Sequence, residues 1–374
     1  MLKFSCDGKF KIMQIADTQE IPEVSENTLS LISEAVNSEN PDLIIFTGDQ
    51  IKGYSSKFKN HPERVEKTID KILEPIAEKN IPFMVTYGNH DSQCGISNTQ
   101  QHEFYSKYPS FVKGEVRSKD DLGTCDVQIF SSDGKNPVFN IYLIDSQGKA
   151  ENGGGYAPVK PEQIEWYIIE RERLRAYSGE YMPSLVFQHI PVPEFFDVIK
   201  CVPKRTKGAV PAYGVHENEY FILNDDTKAQ GGFMLESPAA PDENTGEFAA
   251  MSDKGDVLGI YVGHDHNNSF VVNHSGVDLG YTQGAGFNVY GPGKNRGVRI
   301  FELSEGDLKN YKTRTVTFGE LCDSKIQKPV REFIYTHAPT SPRAVKPILI
   351  KVGSAVAIAA AAYFAYKFFT GFNL

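Results

Sequence analysis

Seven side chains able to ligate a metal stand where apolar runs of the sequence end, together with one suited to carrying a proton. Asp17 closes "KIMQIAD", and Gln19 follows two places on. Asp49 closes "LIIFTGD"; Asn89, His90 and Asp91 close "FMVTYGNHD"; His189 closes "LVFQH"; His264 and His266 close "IYVGHDH". Taken singly, each has an ordinary reading. A strand-end aspartate caps a turn, His189 is a hydrogen-bonded core histidine, and "GHDH" is a polar hairpin. The conjunction at five strand ends is what points to a metal site. Carboxylates, an amide oxygen and imidazoles without a thiolate suit Mn, Fe or Zn, whereas calcium prefers more oxygens and fewer imidazoles. Seven groups are too many for one tetrahedral ion and enough for two divalent ions bridged by a carboxylate such as Asp49. Two ions ~3.5–4 Å apart can clamp the attacking and leaving oxygens of a phosphoryl displacement.

Such a site needs elements that bring distant residues together. "KIMQIAD", "PDLIIFTGD" and "IPFMVTYGNHD" read as strands. Between them "SENTLSLISEAVNSEN" and "HPERVEKTIDKILEPIAEKN" carry apolar residues at helical spacing. Strand–helix–strand–helix–strand implies right-handed crossovers and a parallel sheet, with ligands gathering outside the carboxyl ends of its strands. After Ser269, short strands with glycine-rich turns predict a second, mostly antiparallel layer. Stretches 119–140 and 200–255 read as polar surface excursions, and the acidic stretch 236–247 as a rim of the cleft. Asp265, between two proposed ligands, should point away. "VYGPGKNRG" reads as a turn, with Lys294 or Arg296 in reach of a substrate phosphate.

Composition narrows the function classes. The 374 residues carry a net charge of −9, but the stretch 323–374 holds seven Lys/Arg against two Asp/Glu, so the rest is strongly acidic. That excludes a nucleic-acid partner, for which basic patches dominate affinity. Five widely spaced cysteines without a CxxC pair suit a reducing compartment. No signal peptide is expected at the N-terminus. Residues 323–346 are expected to be a basic linker between a domain at 1–322 and a C-terminal transmembrane helix at 347–369. The basis is an uncharged stretch 352–366 that reaches spanning length with its flanks. Gly353, Ala357 and Ala361 would form a small-residue face for dimerisation. The resulting expectation is a tail-anchored protein of the ER or mitochondrial outer membrane, with its domain facing the cytosol.

The set "AD", "GD", "GNHD", "QH" and "GHDH", in this order, resembles the calcineurin-like metallophosphoesterase family, and most closely its purple-acid-phosphatase-like branch. "IYLIDSQG", "KPEQIEW", "HIPVPEF" and "GPGKNRGVRIFEL" extend the likeness over about residues 8–305. The resemblance implies a fold of α/β class, with two stacked mixed β-sheets flanked by helices in a four-layer α/β/β/α sandwich. It implies that Asp17, Asp49, His266 and position 19 hold one metal, and that Asp49, Asn89, His189 and His264 hold the other. His90 would donate the proton or stabilise the transition state, with Asp91 orienting it. A metal-bound hydroxide would attack phosphomonoesters, phosphoproteins among them. The match breaks at Gln19, where the family has histidine, and at Lys52, where purple acid phosphatases have a tyrosine ligand. Three outcomes stay open at position 19: a weaker site completed by Gln19 or water, a substitute residue from elsewhere, or a lost site. A catalytically weak or inactive scaffold and a phosphodiesterase are the alternatives to the phosphatase.

Overall fold

The side-chain alternation of the first strands decides how the layers stack. In the computed structural model, which describes residues 1–59, 61–151, 154–322 and 326–337, the chain runs β1 (Lys9–Ile15), α1 (Glu26–Glu39), β2 (Leu43–Thr47), α2 (Pro62–Ala77), β3 (Phe83–Thr86) and α3 (Asn98–Tyr105). Met13, Ile15, Ile44, Phe46, Phe83 and Val85 pack against Leu31, Ile32 and Val36 of α1 and Val65, Ile69 and Ile72 of α2. The intervening Phe10, Ile12, Leu43, Ile45 and Met84 face the opposite way, onto a second sheet. A strand buried on both faces must be apolar at both parities, which is why "LIIF" is continuous. Pro62 opens α2 at a position where the missing N–H costs nothing. Asn40 ends α1 in the left-handed conformation.

The second sheet is built from β4 (Asp121–Phe130), β5 (Pro137–Ile144), β6 (Ser184–Gln188), β7 (Val257–Val262), β8 (Asn268–His274) and β9 (Val277–Tyr281), in the order β4-β5-β6-β7-β9-β8. Three shorter strands join it to make nine among the described residues. β5, β6, β7 and β9 are mutually parallel, while β4 runs antiparallel to β5 and β8 antiparallel to β9. Helix α4 (Pro161–Ser178) covers its outer face, where Tyr167 and Leu174 meet Tyr142, Val186 and Ile260. Leu143, Leu185, Phe187 and Tyr261 fill the space between the sheets. The α/β/β/α sandwich is therefore present.

The late strands do not form a separate antiparallel layer. β8 and β9 enter the second sheet, whereas β10 (Gly297–Ser304) and β11 (Lys312–Thr317) return to the first. β10 lies antiparallel to β1, with Ile300 opposite Met13, so both sheets are mixed. The stretch 119–140 is no surface excursion either: it supplies β4 and the start of β5.

The expected transmembrane helix and membrane-anchored placement are corrected. Among the described residues no helix is long and apolar enough to cross a membrane. Residues 347–369, including the Gly353/Ala357/Ala361 face, lie outside the described residues. Within the stretch expected to be linker, the Pro329–His337 helix docks on the domain. Its Glu332 is buried and pairs with the fully buried Arg296 at 3.2 Å. Arg296 also donates to the carbonyls of Gly286, Val289 and Tyr290, so it is structural and out of reach of a substrate phosphate. Lys294 is exposed, outside the cleft lining.

Candidate metal centre

The five strand ends come from two sheets, three from the first (β1, β2, β3) and two from the second (β6, β7), and they meet where the carboxyl edges of both adjoin. Asp17, Asp49 and His189 are buried, and each offers a ligand atom within 4.8 Å of the other two. His189 Nε2 lies 3.4 Å from Asp49 Oδ2 and 4.0 Å from Asp17 Oδ1. Asn89 Oδ1 and His264 Nδ1 each stand 3.2 Å from His189 Nε2. His266 Nε2 is 3.2 Å from Asp17 Oδ1. Gln19 Nε2 lies 2.9 Å from Asp49 Oδ2 and 3.1 Å from His266 Nε2. These contacts link all seven candidate ligands into one cluster, of which Gln19, Asp49, His264 and His266 line the cleft.

Local backbone geometry produces this convergence. Asp17, Gln19, Asp49 and His264 have positive φ, at 52°, 35°, 53° and 69°. For non-glycine residues this costs of order 1–3 kcal/mol each and is found clustered at functional sites. Neighbouring glycines clear the room. A Cβ on Gly88 would collide with the Asp49 carboxylate, and one on Gly263 with that of Asp17. The histidines are aimed by backbone carbonyls: Nδ1 of His189 faces Thr47 O and Nδ1 of His266 faces Tyr290 O, both at 2.9 Å. Such contacts fix the tautomer and present Nε2 to the cluster.

The electrostatics are those of a hole that wants cations. Burial alone would raise the Asp49 carboxyl, but the charges of His189 and His90 outweigh it and hold Asp49 well below the usual range. Burial opposes charge on His189, yet Asp49 and Asp17 win and push it up to about 10. His264 goes the other way, lowered by burial and by the His189 charge. Asp17 Oδ1, buried, makes no hydrogen bond. An orphaned carboxylate oxygen among converging imidazole nitrogens fits a divalent metal.

His90 sits at the open side, its Nε2 4.0 Å from Asp49 Oδ2, with the side chain a quarter exposed. The contact that orients its ring comes from Gln93, whose Oε1 is 2.9 Å from His90 Nδ1. Asp91 turns away from the imidazole. Its carboxylate accepts from the N–H groups of Gly88 (2.8 Å), Asp49 (2.7 Å), Gln50 (2.9 Å) and Ile51 (3.3 Å), joining the "GD" and "GNHD" turns. Burial and the Asp49 charge raise Asp91 to about 7. Asp265 accepts from Tyr281 Oη at 2.6 Å and from Ala239 N at 3.0 Å, and it lines the same cleft as His264 and His266.

Several contributors carry no motif. Tyr54 packs its ring 4.6 Å from that of His90, and its hydroxyl is 3.3 Å from Gln19 Oε1. Tyr290 stacks on His266 at 4.2 Å and donates to the buried Glu236. The cleft is about 450 Å³ and is rimmed by Glu236 and Asp242 from the acidic stretch, and by His216. Of these, Tyr290 lies within the quoted "VYGPGKNRG", while Tyr54 and Gln93 lie outside the quoted motifs.

These features define an α/β/β/α sandwich with a candidate metal site where the edges of its two sheets adjoin. The chain matches the model of the calcineurin-like phosphoesterase family over residues 10–268 and belongs to that family, whose members use divalent metals. It is similar to "Probable inactive purple acid phosphatase 14" of Arabidopsis thaliana, 30% identical over 339 residues covering 80% of this chain and 77% of that one. "Phosphatase DCR2" of Saccharomyces cerevisiae is 26% identical over 349 residues, 85% of this chain and 56% of that one. Among solved structures, a dimetal phosphatase from Danio rerio aligns over 83% of this chain and 99% of that one, at 13% identity and a TM-score of 0.48.

Proposed function

We propose that the chain is a metal-dependent phosphatase of phosphomonoesters, phosphoproteins included, working with two divalent ions of the Mn, Fe or Zn kind. The observation that carries this is the convergence of seven donors around the orphaned Asp17 oxygen, with His90 standing accessible beside them. Asp17, Asp49, His266 and the Gln19 amide would hold one ion. Asp49, Asn89, His189 and His264 would hold the other. Bound there, the ions would supply Lewis acidity to a water and positive charge to the phosphoryl oxygens. The rest falls to side chains. His90 gives a proton from Nε2 to the departing oxygen while Gln93 fixes its other nitrogen. Thr47 and Tyr290 carbonyls keep two imidazoles aimed inward, and Asp91 holds the two turns in register.

Full-length chain with added Mn²⁺ or Zn²⁺ is expected to cleave an aryl phosphate, and His90→Ala to lose roughly 10²–10⁴-fold in rate. Absence of metal-stimulated turnover across several ions defeats the proposal. A second reading, a weak or non-catalytic scaffold of the same fold, is favoured by Gln19, whose amide nitrogen rather than oxygen faces the cluster. The word "inactive" in a relative's name points the same way. Elemental analysis finding about two metals per chain counts against the scaffold.

A further inference from the structure

The cleft beside the candidate ligands Asp49, His264 and His266 has a second, largely apolar wall made of Phe196, Tyr213, Val215 and the Pro-Ala-Ala-Pro stretch 238–241. Tyr156 lines the same cleft, its ring meeting that of His264 edge-on at 4.4 Å. Among the described residues, the lining contains no Lys or Arg, while the exposed Asp242 and the buried Glu236 and Asp265 contribute carboxyl groups. The neighbouring cation, Lys52, is engaged elsewhere. Its Nζ donates to Asn288 O at 3.0 Å and lies 5.3 Å from the Tyr54 ring centre. The wall is preformed: Phe196 stacks on His216 at 4.0 Å and tilts against Phe221 at 5.1 Å. Asp242 accepts from Val215 N at 2.9 Å, tying the two loops together.

We propose that this wall is a leaving-group subsite for aryl phosphate monoesters that carry no second anion near the ring. The inference rests on the phosphatase reading and adds the substrate class. One phosphoryl group finds its countercharge at the cation cluster. A second phosphate would be desolvated against apolar and acidic surface with no positive partner, which is unfavourable. An aromatic ring instead buries area and meets Tyr156, Tyr213 and Phe196 in tilted or edge-on contacts. In the step itself, the water oxygen forms a new P–O bond and the P–O bond to the ring breaks. The water proton passes to solvent, and the phenol departs with a proton from His90. Small aryl esters and phosphotyrosyl peptides share this chemistry. For a peptide, the exposed Asp242 favours basic flanks.

The test uses metal-loaded full-length chain. Calorimetry compares inorganic phosphate, methylphosphonate, phenylphosphonate and inositol hexakisphosphate, and kcat/KM is measured for phenyl phosphate and for phosphotyrosyl peptides with Lys or Glu flanks. Phenylphosphonate is expected to bind roughly tenfold tighter than methylphosphonate, and the hexakisphosphate no tighter than inorganic phosphate. Val215→Lys, at a side chain 70% exposed, should strengthen binding of the polyanion. A Lys-flanked peptide outpacing phenyl phosphate identifies the peptide source, and the reverse order identifies small aryl esters. Phosphate binding without a phenyl preference, or tightest binding of the hexakisphosphate, overturns the subsite alone. Failure to bind inorganic phosphate overturns the phosphatase reading and the subsite with it.

Discussion

Asp91→Asn separates two roles for a carboxylate inside the "GNHD" signature. If Asp91 serves His90, the amide should cost rate and little stability. The geometry says otherwise. Oδ2 accepts from Gly88 and Asp49 and Oδ1 from Gln50 and Ile51, at 2.7–3.3 Å and fully buried. An asparagine keeps one acceptor oxygen and turns an NH₂ toward the other pair of N–H donors. Two buried N–H groups are then orphaned, each costing ~1–3 kcal/mol. We expect a loss of about 3 kcal/mol, measured by urea unfolding of the full-length chain, with an unchanged m-value. Gln93→Ala is the complement: it frees the His90 ring at 2.9 Å and should lower turnover with a stability change of about 0.5 kcal/mol. A destabilisation below about 0.5 kcal/mol for Asp91→Asn, or full activity in Gln93→Ala, refutes the assignment.

Glu332→Ala removes the carboxylate partner of the fully buried Arg296 and should cost about 3–5 kcal/mol. It should also weaken metal binding, because Arg296 holds the Tyr290 carbonyl that aims His266; thermal unfolding and metal titration check the two effects. Glu247 is buried, and burial together with the Glu194 charge raises it from 4.5 to about 8. The folded chain therefore binds this proton more tightly than the unfolded one. Its stabilising contribution is full below about pH 4.5 and falls as pH rises to about 8, at up to ~1.4 kcal/mol per pH unit. Glu247→Gln should flatten that part of the stability profile, followed by denaturant midpoints from pH 5 to 8.5.

The candidate donors were legible because residue identity is local. Each donor directly follows a run whose apolar character marks a buried strand, so residue type and position travel together. Strand pairing is not local. Nothing within β10 says that Ile300 will lie opposite Met13, and the antiparallel return strand closes the first sheet instead of building a separate layer. Arg296 misled for a related reason. A glycine-rich turn with a cation suggests anion binding, but whether the guanidinium points out or in depends on Glu332, 36 residues away. Tyr54 and Gln93 escape any motif, since their roles are contacts made after the turns have formed.

Position 19 is where sequence and structure part most usefully. To ligate a metal, the Gln19 side chain must present its oxygen inward. In the structure that oxygen meets Tyr54 Oη at 3.3 Å, while Nε2 meets Asp49 and His266. Metal binding then requires the amide to rotate, and the Tyr54 bond, worth about 1 kcal/mol net, is lost on the way. Tyr54→Phe removes that bond and keeps the ring against His90. If the exchange is what weakens the first site, the variant should bind Mn²⁺ roughly fivefold more tightly. Gln19→His, which needs no rotation, should gain at least as much, and the two changes combined should add nothing further. Unchanged affinity in Tyr54→Phe alongside a gain in Gln19→His would place the deficit in the amide's own weakness as a ligand rather than in its orientation.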